Sequence, residues 1–292
     1  MKKLWARWLH LLELREPGLQ LALCRIMAGI GLVASVSFVL PHGTLIALWS
    51  DAGYRGGPSP SLIWILAFTT LLSGLLLALG LFTRIAAILS LVLFNLLIHL
   101  NPHDGSAYDS LLTNQLFLLI FSGAGATLSL DCKLRHGRWT SPTLVTAWPR
   151  LVMILQLVLC YWSTGVQKIS GHWLPGGDLS AVYYTLQDPF WRRWDLTPGL
   201  SQAYPITQLT TAFSWWFEVL SPLLLLALYY RATADRPGRQ RRVFNRINYP
   251  LCFAIWGILF HLGIHFFMRV GPFSWIILSY YPALFQRMKA EG

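Results

Sequence analysis

The stretch YWSTGVQKISGHWLPGG, residues 161–177, closes a strongly apolar run with a lysine, Lys168. Two kinds of chemistry fit an ammonium there. A long aliphatic stem lets it snorkel to the lipid headgroups. Held in a dry pocket by the Gly/Trp/Pro-rich exit around Trp173, it becomes a base, because desolvating the ammonium favours the neutral amine. Glu218, in SWWFEVLSPLLLL, sits about eleven residues from either end of its apolar segment, which at roughly 1.5 Å per residue puts it near mid-membrane. A carboxyl at that depth is neutral, paired or turned to a water-filled cavity. His261 and His265, in FHLGIHFF, are four apart and share one helix face. That spacing can seed a metal site, yet no glutamate follows the first histidine and no third ligand is evident. Interior hydrogen bonding, structural or to a ligand, is the expectation, with no metal. His99, at the outer end of an earlier apolar segment, is placed to join them.

These groups need elements to hold them. A helix requires about 20 apolar residues to cross the hydrocarbon, and eight candidate spans meet or approach that: 19–40, 61–81, 85–100, 110–128, 151–169, 207–230, 249–268 and 273–286. With the N-terminus inside, seventeen Lys and Arg fall in cytoplasmic segments. Only Arg55, Arg192, Arg193 and Arg269 fall outside. That asymmetry predicts an all-α, polytopic membrane helix bundle of eight spans with both termini cytoplasmic. Arg25 and Arg84, near the inner ends of spans, read as anchors or interhelical ties. The outer loops carry His103, Asp104, Asp109, His172, Trp173, Asp178 and Asp188, so chemistry is expected to face outward.

The composition agrees. Of 292 residues, 55% are hydrophobic and 12% charged, against about 25% charged in a soluble domain. The 14 tryptophans suit a membrane interface. The net charge of +11 follows from positive-inside loops such as RATADRPGRQRRVFNR, and nucleic acid is not an expected partner. The first apolar run has no A-x-A-like cleavage site and is read as a retained span. Cys24, Cys132, Cys160 and Cys252 match no metal or redox spacing. Phosphate-cradling, nucleophile-elbow and paired-CxxC motifs are absent in recognisable form. No internal boundary stands out, so residues 1–292 are read as a single domain.

Several stretches occur together in a familiar order: GLFTRIAAILSLVLFNLLIHL, ATLSLD ending at Asp131, YWSTGVQKISGHWLPG, WWFEVLSPLLLL and FHLGIHFFMRVGPFSWIILSYYPALF. Over roughly Arg25 to Phe285 the chain resembles the bacterial horizontally transferred transmembrane domain (HTTM) proteins, relatives of the membrane part of vitamin K-dependent gamma-glutamyl carboxylase. In that family a G-V-x-K stretch before an aromatic exit carries the lysine that deprotonates reduced vitamin K at the non-cytoplasmic face. Gly165, Val166, Lys168, Trp173 and Gly176 match it. His261, Gly271, Phe273 and Ser274 match a second family stretch, and Glu218 falls where a carboxylate is usual. The chain departs from the carboxylase at Ser106, Ala107 and Tyr108, where an Asn-His pair is expected. A catalytic histidine would then come from His99 or His103. No large lumenal portion is expected after the last span.

The resemblance implies an inner-membrane protein with an outward-facing site around Lys168, working with a reduced quinone to modify or mature an exported peptide or protein. The alternative class is non-enzymatic: a transporter, or an assembly and maturation factor, in which Glu218, His261 and His265 relay protons.

Overall fold

The computed structural model describes residues 12–40, 43–53, 56–101 and 105–285. The basic N-terminal stretch, Arg55, His103, Asp104, Arg287, Lys289 and both termini lie outside the described residues. The chain divides into two compact units, Met1–Met153 with Trp275–Ala283 and Ile154–Ser274 with Leu284–Gly292.

The first unit contains β1 (Arg15–Pro17), α1 (Leu19–Val39), α2 (Thr44–Trp49), α3 (Pro60–Leu79), α4 (Thr83–Leu100), α5 (Ala107–Phe121), α6 (Leu130–His136), β2 (Leu144–Thr146) and the start of α7 (Trp148–Gln167). β1 and β2 pair antiparallel, with Glu16 opposite Val145. α3 shows why these helices belong in lipid. Its exposed stripe is Leu62, Ile65, Phe68, Leu72, Leu75 and Leu79, more apolar than the buried side, which includes Thr70 and Ser73. A soluble helix would turn charges outward. Inside, small residues let the backbones close: a Cβ added at Gly29 of α1 would lie 2.6 Å from the Ala78 nitrogen of α3.

The turn between α3 and α4 is held by two buried charges. Gly80, at φ +69°, ends α3. The Arg25 guanidinium donates to the C-terminal carbonyls of Leu77 (2.9 Å) and Ala78 (3.3 Å), and to the Leu128 carbonyl (2.5 Å). Asp131 caps α4, accepting from the backbone N–H groups of Phe82 and Thr83 and from the Thr83 hydroxyl. Burial alone would raise the Asp131 carboxyl, but these bonds and Arg135 hold it below its usual range. Arg25 is thus an interhelical tie, as the sequence suggests. Arg150 is different: the loop count treats it as a cytoplasmic charge, whereas it is buried in α7, donating to both carboxylate oxygens of Glu16 and to the Ala283 carbonyl.

The second unit contains the rest of α7, then α8 (Ala181–Gln187), α9 (Thr197–Leu200), α10 (Tyr204–Val219), α11 (Leu223–Ala232), α12 (Arg239–Ile247) and α13 (Tyr249–Phe267). α14 (Phe273–Leu278) begins in it and ends in the first unit. The molecule is mostly helical. Among the described residues five helices, α1, α3, α4, α7 and α13, are long and apolar enough to cross a membrane. α10 and α11 make a sixth crossing if taken as one span bent by 53°. The break at Leu220–Pro222 lies where Pro222 removes a backbone donor. Two of the eight expected segments form shorter helices. The 110–128 segment stops at Phe121, because Gly123 adopts φ +64° just beyond it. The 273–286 segment is α14 followed by a 3₁₀ turn, Tyr281–Phe285.

Candidate functional site

The site grows from one face of α7. Tyr161 and Gly165 lie one turn apart on the same side of α7, and Lys168 follows immediately after its last residue, its N–H donating to the Gly165 carbonyl. Gly165 is what lets α10 approach. A Cβ there would lie 2.9 Å from both the Glu218 Cβ and the Val219 nitrogen. The close crossing brings Glu218, on the last turn of α10, to the end of α7. Lys168 Nζ donates to Glu218 Oε2 at 2.5 Å. The pair is enclosed: the side chains are 22% and 6% exposed. The ammonium also lies over the Trp173 ring, 4.3 Å from its centroid, in cation–π geometry.

Trp173 is held there because the exit after α7 is a folded loop. Its backbone N–H donates to the Ser170 carbonyl at 2.9 Å, and Gly177 packs so closely on Gly171 that a Cβ would overlap the Gly171 carbonyl. His172 Nδ1 lies 2.7 Å from the Ser180 hydroxyl, which donates to Asp178. Hydrogen bonds from Ser180, with help from His172, hold the Asp178 carboxyl below its usual range. The Asp178 carbonyl accepts from Gln208 Nε2 at 2.8 Å, which fastens the loop to α10.

One turn-pair below Lys168, Tyr161 Oη and His261 Nε2 are 2.6 Å apart. His261 is 1% exposed, and its Nδ1 has no hydrogen-bond partner among the described residues. Aromatic rings surround the pair. Phe217 lies edge-on to Tyr161 at 4.8 Å, and Phe260 and Phe273 lie 5.1 and 5.7 Å from the imidazole. Tyr161→Phe keeps that ring packing and strips the buried imidazole nitrogen of its partner. It should cost about 1–3 kcal/mol in unfolding titrations with SDS. A change under about 0.5 kcal/mol would show that the bond contributes nothing.

The structure therefore joins Lys168, Glu218 and Trp173 directly, and places His261 in a second polar pair with Tyr161 of α7. His265, four residues on in α13, is half-buried. His99 belongs to the first unit, where its Nδ1 lies 2.8 Å from the Asn95 carbonyl of its own helix. Among the described residues no group of three or more His, Cys, Asp or Glu side chains is placed to hold a metal ion. Tyr161 was not foreseen. Its signal is visible in hindsight, seven residues before Lys168 and so two turns back along the chain.

A family model for the HTTM domain matches residues 19–234, well over half the chain. The protein belongs to the HTTM domain family. This is a membrane-domain family linked to vitamin K-dependent carboxylase. The matched residues of this HTTM protein include Lys168, Trp173, Glu218, Tyr161 and His99, and stop before α13 with His261 and His265. Neither the search of curated proteins nor that of solved structures found a match.

Proposed function

We propose that this HTTM protein is a membrane enzyme whose base is Lys168, with Glu218 as its proton store, working with a reduced quinone on an exported peptide or protein. The observation that carries the reading is the enclosed Lys168–Glu218 pair beneath Trp173. Where water is scarce, two neutral partners compete well with two ions. When an entering substrate displaces the remaining water from the ion pair, Glu218 takes the ammonium's proton and leaves Lys168 as an amine. The amine would accept a proton from an acidic hydroxyl, and the ammonium so formed would lie beside the oxygen that gave it up. Charge is balanced at the point where it develops.

A flat aromatic diol suits these residues: the Lys168 side chain is partly exposed and therefore reachable, and Trp173 offers an aromatic face beside it. A reduced quinone of the vitamin K type supplies, when bound, an acidic hydroxyl and two electrons. Lys168 would hold the proton and Trp173 the ring. The finer topology belongs to the same proposal: eight crossings, with the shorter 110–128 and 273–286 segments counted, both termini cytoplasmic, and the Lys168 end of α7 facing outward from a bacterial inner membrane. It rests on the asymmetry of Lys and Arg between the two sets of loops.

The test is mass spectrometry of exported peptides from cells carrying the wild type, Lys168→Arg, or no copy. Arginine keeps a positive charge opposite Glu218 but never supplies a neutral base. A mass-shifted peptide is expected with the wild type, and loss of general-base catalysis, about 10²–10⁴-fold, with Lys168→Arg at equal membrane levels. Full modification by Lys168→Arg would reduce the lysine to an anchor. One observation favours the transport reading instead: the span carrying Glu218 is broken immediately after it, at Leu220–Pro222. Under that reading Lys168→Arg changes how much peptide is exported and leaves its mass unaltered.

A further inference from the structure

α12 is built the wrong way round for a helix that merely faces water. At about 100° per residue, Gln240, Arg241, Phe244 and Asn245 fall on one side, and all four are engaged. Gln240 Oε1 accepts from the Tyr230 hydroxyl at 2.9 Å, and Asn245 Nδ2 donates to the Tyr230 carbonyl. Phe244 packs on Tyr230 and Tyr249, and Arg241 stacks over Tyr230 while donating to Thr233. The packed face is thus largely polar. The outward face carries Arg239, Arg242 and Arg246 in one row, all exposed, with Val243 and Ile247 beside them, each about half exposed. Among the described residues none of these three arginines is in an ion pair, and Asp235 is the one acid between Ala232 and Tyr249.

An outward face that is both apolar and cationic matches a layer that is both apolar and anionic. We infer that α12 docks flat on the membrane surface, its arginines on the phosphates of anionic lipids and Val243 and Ile247 in the boundary beneath them. The chain holds it there: it is strung between the end of α11 at Ala232 and the start of α13 at Tyr249, both in candidate spans. The affinity is electrostatic in part, so salt weakens it. This surface is independent of the Lys168 site.

The experiment is hydrogen–deuterium exchange on the full-length protein in nanodiscs of phosphatidylcholine, with and without phosphatidylglycerol. Each arginine near an anionic surface contributes roughly a fivefold gain in affinity. The amides of 239–247 should therefore exchange at least tenfold more slowly with phosphatidylglycerol present. Raised salt should reverse much of that protection. Arg239→Gln/Arg242→Gln/Arg246→Gln should abolish it while matching the wild type in pure phosphatidylcholine, which shows that the variant is folded. Val243→Ser/Ile247→Ser should weaken it at every salt concentration. Equal exchange in the two lipids overturns the inference. So does protection in pure phosphatidylcholine by inorganic phosphate or polyuridylate that equals the effect of the anionic lipid, since the partner is then a free phosphate or a nucleic acid.

Discussion

Lys168→Met lowers stability by about 3–5 kcal/mol, and adding Glu218→Leu returns most of it. The Glu218 side chain is 6% exposed and has Lys168 as its ion-pair partner. Removing the lysine alone leaves a carboxylate enclosed by α7 and α10, facing the crossing at Gly165 with no counter-charge. The double replacement removes both charges and keeps similar volume. Substituting a whole buried pair by apolar side chains is commonly neutral or stabilising. SDS titration of the purified protein, followed by tryptophan fluorescence, reads both variants. If Lys168→Met stays within about 1 kcal/mol of the wild type and the double variant is no better, the pair is solvated and the enclosed site is wrong. Lys168→Arg should remain close to the wild type in this assay, because it retains the charge. Stability and chemistry at position 168 are therefore separable.

Arg25→Met is expected to cost at least about 3 kcal/mol, while Arg84→Ala, at the start of α4, stays within about 0.5 kcal/mol. The two arginines look alike in the sequence, both near the inner ends of spans. Arg25 is fully buried and donates to three backbone carbonyls, those of Leu77 and Ala78 at the end of α3 and that of Leu128 in the segment before α6. Without it, each buried carbonyl loses about 1–3 kcal/mol of hydrogen bonding. Arg84 is exposed on the first turn of α4. Gly80 belongs to the same device: a Cβ there would overlap the Arg25 guanidinium, and the residue sits at φ +69°. Equal effects from Arg25→Met and Arg84→Ala would mean that Arg25 is a surface anchor after all.

Helix positions were legible in the sequence wherever apolar length alone decides them. α1, α3, α4, α7 and α13 start and end within a few residues of the expected spans. The 207–230 segment reads as one span by hydropathy, and only the consequence of Pro222 for backbone bonding breaks it. That break also explains why Glu218 is not simply a mid-span carboxyl. It ends a helix, at the level where α7 ends too. The family pattern drew attention to Lys168 and Trp173, and apolar surroundings drew attention to Glu218. Their partnership was not legible, because it depends on a crossing between residues 50 positions apart. Nor was the Tyr161–His261 bond, which spans 100 positions. His261 and His265 share a face by spacing, yet tertiary packing buries the first beside Tyr161 and leaves the second half-buried. Periodicity fixes which way a side chain points, and it says nothing about what arrives from another helix.

The face of α7 also works as a ruler. Tyr161 answers α13, Gly165 admits α10 and Lys168 answers Glu218, each at its own mark along one rod. A single residue inserted between Tyr161 and Gly165 would rotate everything downstream by about 100°. Lys168 would swing off Glu218 while Tyr161 stayed on His261. Between these two marks the chain can exchange one side chain for another, but it cannot change its count.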